Sequence, residues 1–121
     1  FDFPELVLDN GSGLSRQERI SAHNMTRLLI AISRSPLMPE MLASLPLSAV
    51  DGTMKKRLNG EAAARRAHIK TGTLDGVKTL AGYVLDRRGR MQCVVFFVNH
   101  ANARAAQAAQ DALLDWVYQA R

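Results

Sequence analysis

Val77-Lys78-Thr79-Leu80-Ala81-Gly82-Tyr83-Val84-Leu85, then Asp86-Arg87-Arg88-Gly89-Arg90, then Met91-Gln92-Cys93-Val94-Val95-Phe96-Phe97-Val98-Asn99, is the stretch that decides the fold. The two flanking runs are rich in β-branched and aromatic residues and read as strands. The polar segment between them is a hairpin turn in which Gly89 can take positive φ. Cys93 to Val98 is apolar without a break, the pattern of a strand covered on both faces. Just upstream, His68–Thr71 reads as a third, shorter strand.

Working outward, Asn102 begins a helical stretch that runs to the end. Ala106, Ala109, Leu113, Trp116 and Val117 make its apolar stripe, and Trp116 is expected in the core. Towards the N-terminus, Ser21 is a helix N-cap, followed by Met25, Leu28, Leu29 and Ile32 at helical spacing up to about Ser33. Pro36 and Pro39 end that helix, and Pro39 can start a short one through Met41 and Leu42. Asp9-Asn10-Gly11-Ser12-Gly13 is a loop, in which Ser12 and Ser15 serve as stabilising side chains. Glu5–Asp9 reads as a strand already under way. Thr53–Leu58 reads as one helical turn, and Glu61–Arg66 as a surface segment. The expected class is mixed α/β (α+β), with a three-stranded antiparallel sheet and flanking helices.

The chain has 121 residues, enough for one domain. Hydrophobic residues at 47% and charged ones at 22% exclude a disordered or collagen-like chain. No apolar run approaches the roughly 18 residues of a membrane span. The single cysteine, Cys93, excludes an internal disulfide framework and a cysteine-rich zinc site. It alternates with Val94 in an apolar strand and reads as a small core residue. A net charge of +5 points to an anionic partner without choosing one. The basic group Lys55, Lys56, Arg57, Arg65 and Arg66 has no interleaved aromatic residues, so a solvated face is favoured over a nucleic-acid platform. His23, His68 and His100 lack metal spacing, and no metal or cofactor is expected. Asp9 and Asp51 precede or adjoin turn residues and read as turn formers.

Chemistry concentrates in Ile69-Lys70-Thr71-Gly72-Thr73. Lys70 brings a positive charge to a strand end, and Thr71 and Thr73 bring hydroxyls and amides suited to a carboxylate or carbonyl. Gly72 would let a ligand backbone approach the strand. Lys-Thr-Gly is the third signature of penicillin-recognising serine enzymes. With Asp9-Asn10-Gly11-Ser12-Gly13-Leu14-Ser15-Arg16 upstream and Leu80-Ala81-Gly82-Tyr83-Val84 downstream, the chain resembles the C-terminal part of a D-alanyl-D-alanine carboxypeptidase/endopeptidase of the penicillin-binding protein 4 type, the peptidase S13 family. The resemblance spans Leu6 to Tyr118.

That resemblance implies that residues 1–121 are a C-terminal segment of a penicillin-binding, transpeptidase-like domain. It implies a periplasmic serine enzyme acting on peptidoglycan peptides that end in D-alanine, with β-lactams as inhibitors and nucleic acid as no partner. By carry-over, Lys70 supplies charge and proton traffic, and Thr71 binds the terminal carboxylate. Gly72 keeps the wall open, the Thr73 N–H is half of an oxyanion hole, and Arg16 assists anion recognition at the rim. No serine here has a lysine three positions on, and Ser-x-Asn does not occur. The nucleophile, its lysine and the second motif are therefore expected in another part of the protein, and the segment alone is expected to be inactive. Thr53-Met54-Lys55-Lys56 has a hydroxyl and a lysine at the right spacing, but a solvated basic turn is the more ordinary reading. The other open function is a non-catalytic module that binds peptidoglycan or a protein. Cut from its partners, Met91–Asn99 would leave an unpaired edge, so self-association is expected.

Overall fold

The computed structural model describes residues 1–120. Helix α1 spans Ala22–Ser33, α2 Met38–Ser44, and α3 Gln107–Gln119, with strands β1 Ala67–Leu74, β2 Val77–Leu85 and β3 Met91–Asn99 between α2 and α3. Short 3₁₀ turns lie at Gly52–Met54 and Ala103–Ala106. The sheet order is β1-β2-β3, antiparallel throughout. This is the expected mixed α/β arrangement.

Local chemistry explains the boundaries. The Ser21 hydroxyl accepts the Asn24 N–H at 3.1 Å and starts α1, as its cap position predicts. Pro39 falls in the first turn of α2, where a missing N–H costs nothing. Asp86 organises the β2–β3 hairpin. Its carboxylate accepts the N–H groups of Arg88 and Arg90, the Arg90 Nε and the Gln92 amide. Burial alone would raise the Asp86 pKa, but these hydrogen bonds outweigh it and hold the carboxyl well below its usual range.

Period-2 alternation splits the sheet into two faces. Leu80, Val84, Val94 and Phe96 join Ala67 and Ile69 against Leu113, Leu114, Val117 and Tyr118 around α3. Ala81, Tyr83, Cys93 and Val95 pack against Met25 and Leu29 of α1 and the α2 side chains. The Tyr83 hydroxyl donates to the Leu29 carbonyl at 2.8 Å. Burial, with a smaller contribution from Cys93, pushes its pKa up to about 12. Burial also raises the Cys93 thiol, in keeping with a core role.

Several expectations need correction. Glu5–Asp9 is not a strand. Only Val7 pairs, in a single bridge with Arg19, and Leu8 stays exposed. The strand at His68–Thr71 is longer than its apolar core suggested, because pairing with β2 continues through Thr73↔Lys78 and Leu74↔Val77. The turn at Thr53–Leu58 shrinks to the 3₁₀ turn at Gly52–Met54. In β3 only Val94 is fully buried, and its neighbours are half-buried. Trp116 is 67% exposed, because α3 is rotated so that Gln110 and Leu114 face the sheet. Arg57 does not belong to the solvated basic face. It is buried and pairs with Asp111 at 2.7 Å, and its Nη2 also donates to the Gln110 side-chain Oε1 at 3.4 Å. Ala63, in the supposed surface segment, is also buried and donates its N–H to Asp115.

Gly82 has φ +155, and a Cβ there would lie 2.1 Å from the His68 carbonyl oxygen. Gly89 has φ +75 in open space. Gly82→Ala is expected to lower the unfolding free energy by about 1–3 kcal/mol or more, because backbone must move. Gly89→Ala should cost only about 1–2 kcal/mol from its φ. Urea midpoints of the two variants check this, and equal losses would remove the close contact as the cause.

The outer edge of β3 has no neighbouring strand among the described residues. It is long and contains neither Pro nor Lys, the residues that usually blunt an edge. The segment on its own is expected to self-associate in sedimentation at micromolar concentration. A monomer that fails to sediment faster as concentration rises would contradict this.

Candidate active-site wall

β1 is an edge strand, and its first half is covered. Ser48 N–H donates to the Ala67 carbonyl at 2.9 Å and Ile69 N–H to the Pro46 carbonyl at 2.8 Å. Ala67 and Ile69 therefore point their backbone groups away from β2. By the alternation of an antiparallel pair, Thr71 and Thr73 do the same. Beyond Ile69 the covering segment ends, so the N–H groups of Thr71 and Thr73 face the open side.

Side chains on this strand divide between the two faces. Lys70 and Gly72 lie on the α1 face, opposite Ala81 and Thr79. The Lys70 ammonium donates to the Thr71 carbonyl at 2.7 Å, which places a positive charge on the open edge. On the other face the Thr71 hydroxyl lies 2.7 Å from the Thr53 hydroxyl. Thr73 is exposed. Gly72 serves the sheet itself. A Cβ there would lie 2.5 Å from Thr79 Oγ1, whose hydroxyl donates to the Gly72 carbonyl at 3.5 Å. Gly72 thus makes room for a cross-strand threonine, a role that the expectation of ligand approach did not include.

Arg16 arrives from a distant loop. Its Nη1 donates to the Asp75 carbonyl, in the β1–β2 turn, at 3.1 Å. Ser12 and Ser15 cap turns in that loop by accepting the N–H groups of Leu14 and Gln17, as expected. Arg16, Lys70 and Thr71 line one groove of about 950 Å³ between α1 and the sheet, floored by Met25, Leu29 and Phe97. Arg19, Glu5 and Glu18 complete its charged rim. Cations near the β1 edge thus offer an anion an electrostatic seat. Gly72 and Thr73 lie on the same strand but outside this groove lining.

The sequence profile of the D-Ala-D-Ala carboxypeptidase 3 (S13) family matches residues 1–120. The chain belongs to that family. It is 36% identical over 117 residues to the D-alanyl-D-alanine carboxypeptidase of Actinomadura sp. (strain R39), covering 93% of this chain and 22% of that protein. It is 32% identical over 99 residues to D-alanyl-D-alanine carboxypeptidase DacB of Haemophilus influenzae, covering 80% and 21%. The crystal structure of penicillin binding protein 4 (dacB) from Haemophilus influenzae superposes with a TM-score of 0.85 at 28% identity, covering 98% of this chain and 28% of that one. A second structure of that protein, complexed with a novel β-lactam, also gives 0.85. This S13 segment spans about a fifth of the length of the curated relatives it matches.

Two residues escaped the sequence reading. In the sequence Thr53 reads as part of a solvated basic turn, and nothing in its spacing announces a partner 18 positions away. Glu5 reads in the sequence as part of a strand. Instead its carboxylate accepts the Ser21 N–H at 3.0 Å and the Asn24 amide at 2.7 Å, sealing the N-terminus of α1. An acidic residue with a helix N-cap downstream was the available signal.

Hydrogen bonds from Ser21, hydroxyl and N–H, and then from Asn24 lower the Glu5 carboxyl from 4.5 to about 2. A folded pKa below the unfolded one means that the folded state holds fewer protons. The stabilisation is therefore full above pH 4.5 and is lost as pH falls towards 2. Glu5→Gln is expected to lower stability at neutral pH and to flatten the acid limb in that window. Urea unfolding against pH measures both, and an unchanged acid limb would refute the assignment.

Proposed function

We propose that this segment forms one wall of the cleft of a serine-type D-Ala-D-Ala carboxypeptidase/endopeptidase that acts on peptidoglycan peptides ending in D-alanine. The observation that carries the reading is the open half of β1. There the N–H groups of Thr71 and Thr73 face outward beside the Lys70 ammonium, and Arg16 lies at the rim. An extended peptide can pair with such an edge, its carbonyl on one N–H and its carboxylate by the cations.

In this reading the nucleophilic serine belongs to another part of the protein. Its oxygen attacks the carbonyl between the two D-alanines, the terminal D-alanine leaves as the amine, and water then cleaves the ester. The Thr73 N–H stabilises the oxyanion, where losing one donor costs about 10²–10³ in rate. Thr71 and Arg16 hold the terminal carboxylate. Lys70 keeps the local field positive and assists proton transfer at the serine. Gly72 preserves the register that presents these groups. β-Lactams act by acylating the same serine, and the enzyme works in the periplasm, where its substrate lies.

The test is intact-protein mass after the full-length protein that carries this segment is incubated with benzylpenicillin. A stable adduct is expected, strongly slowed by Lys70→Ala and absent from the segment alone. A folded full-length protein that takes up no penicillin would overturn the acyl-transfer reading. Reversible peptidoglycan binding without an adduct would then favour a non-catalytic binding module.

A further inference from the structure

We propose that Thr53 is a positioning residue for Thr71: it donates its hydroxyl hydrogen to Thr71 Oγ1 and so leaves the Thr71 hydrogen free for a ligand carboxylate. The inference rests on the carboxylate-binding role given to Thr71 above.

The two hydroxyl oxygens lie 2.7 Å apart, and either can be the donor. A hydroxyl has one hydrogen to give and two lone pairs to accept with. If Thr71 donates to Thr53, only lone pairs remain for a ligand, and lone pairs repel a carboxylate. If Thr53 donates, Thr71 keeps its hydrogen for the anion. The accepted bond also polarises the Thr71 O–H and strengthens what it donates. An anion in the cleft therefore selects the Thr53→Thr71→carboxylate direction.

Thr53 is held firmly enough to do this. It sits in the 3₁₀ turn Gly52–Met54. Before it, Asp51 accepts the Leu47 N–H at 2.6 Å. After it, Met54 is fully buried, and its carbonyl accepts the N–H groups of Ala49 and Arg57 at 3.0 Å each. Arg57 is in turn fixed to Asp111 of α3. The loop arrives at β1 as a braced element, and the hydroxyl pair is the polar contact it makes with Thr71. A threonine exposed to solvent gains little from packing there, whereas its oxygen meets the Thr71 hydroxyl at 2.7 Å.

The experiment uses the full-length protein with Thr53→Val, Thr53→Ser and Thr71→Val. The readout is the second-order rate of acylation by benzylpenicillin and by its neutral methyl ester, followed by intact mass, with melting temperatures alongside. Thr53→Val should slow benzylpenicillin by about 3- to 10-fold, the worth of one modest hydrogen bond. The ester, whose neutral carbonyl accepts a weaker bond, should be slowed less. Thr53→Ser, which keeps the hydroxyl, should restore the rate. Equal slowing of acid and ester by Thr53→Val would mean a displaced loop and would overturn the proposal. So would slowing by Thr71→Val with none by Thr53→Val, an outcome that leaves the cleft reading intact. No effect of Thr71→Val on benzylpenicillin would remove the carboxylate role of Thr71, and this inference with it.

Discussion

The strand that carries Lys70-Thr71-Gly72-Thr73 depends on a contact that only glycine permits. At Gly82 the backbones of β1 and β2 approach so closely that a Cβ would sit 2.1 Å from the His68 carbonyl oxygen. At Gly72 the missing side chain leaves room for Thr79, whose Oγ1 would lie 2.5 Å from an added Cβ. These two absences of side chain fix the β1–β2 register. Register decides which residues of β1 turn their N–H groups outward, because a slip of one position exchanges the two sets. With Ile69 bound to Pro46 on the open side, Thr71 and Thr73 must follow it there. The edge chemistry is thus a consequence of packing two strands further in.

Support for that edge comes from the far face of the sheet. Asp111 and Asp115 of α3 hold Arg57 and the Ala63 N–H. Ser48, fully buried, donates to the Ala63 carbonyl at 2.8 Å and accepts the Ala67 N–H at 3.2 Å. The polar segment from Ser48 to Arg66 has little regular structure of its own. It gains order from these bonds, each made to a buried or half-buried partner, where an unmade bond is costly. Breaking the Arg57–Asp111 pair would leave a buried guanidinium without a carboxylate, among the more destabilising single changes available. The helix on this face of the sheet therefore sets the position of the loop that meets Thr71.

The sequence was most legible where periodicity and turn chemistry agree. The β2–β3 hairpin, the Ser21 cap and the short helix at Pro39 all follow from local rules. Errors arose where the deciding partner is distant. Val7 and its neighbours look like a strand, yet only Arg19 pairs with them, so Leu8 remains in solvent. The stripe on α3 is right at Leu113 and Val117 but not at Ala109 and Trp116, because the helix turns the polar Gln110 inward beside Arg57 and leaves Trp116 outside. A hydrophobic pattern cannot register a buried glutamine. In the candidate site, Lys70, Thr71, Gly72 and Thr73 were legible as a motif, and Arg16 as the end of another. Thr53 was not, since a hydroxyl in a turn carries no periodic signal, and its meaning lies wholly in the residue it meets.

The same distinction separates the parts of the wall by how they can tolerate change. Thr71 and Thr73 present backbone groups, which any residue able to hold the strand would present equally well. In the proposed function their side chains carry the separate burden of chemistry. Gly72 and Gly82 carry none of the chemistry, yet any added carbon disturbs the register on which those backbone groups depend. Lys70 and Arg16 lie between these extremes, since each anchors a cation by bonding to a carbonyl of the strand or its turn. An anion arriving at the edge would compete with those carbonyls for the same donors. Both bonds have a charged donor, but a carboxylate adds the attraction between opposite charges that a neutral carbonyl lacks, so the competition favours the ligand. The cations are thereby held near the positions the proposed function gives them, without being lost to a permanent salt bridge.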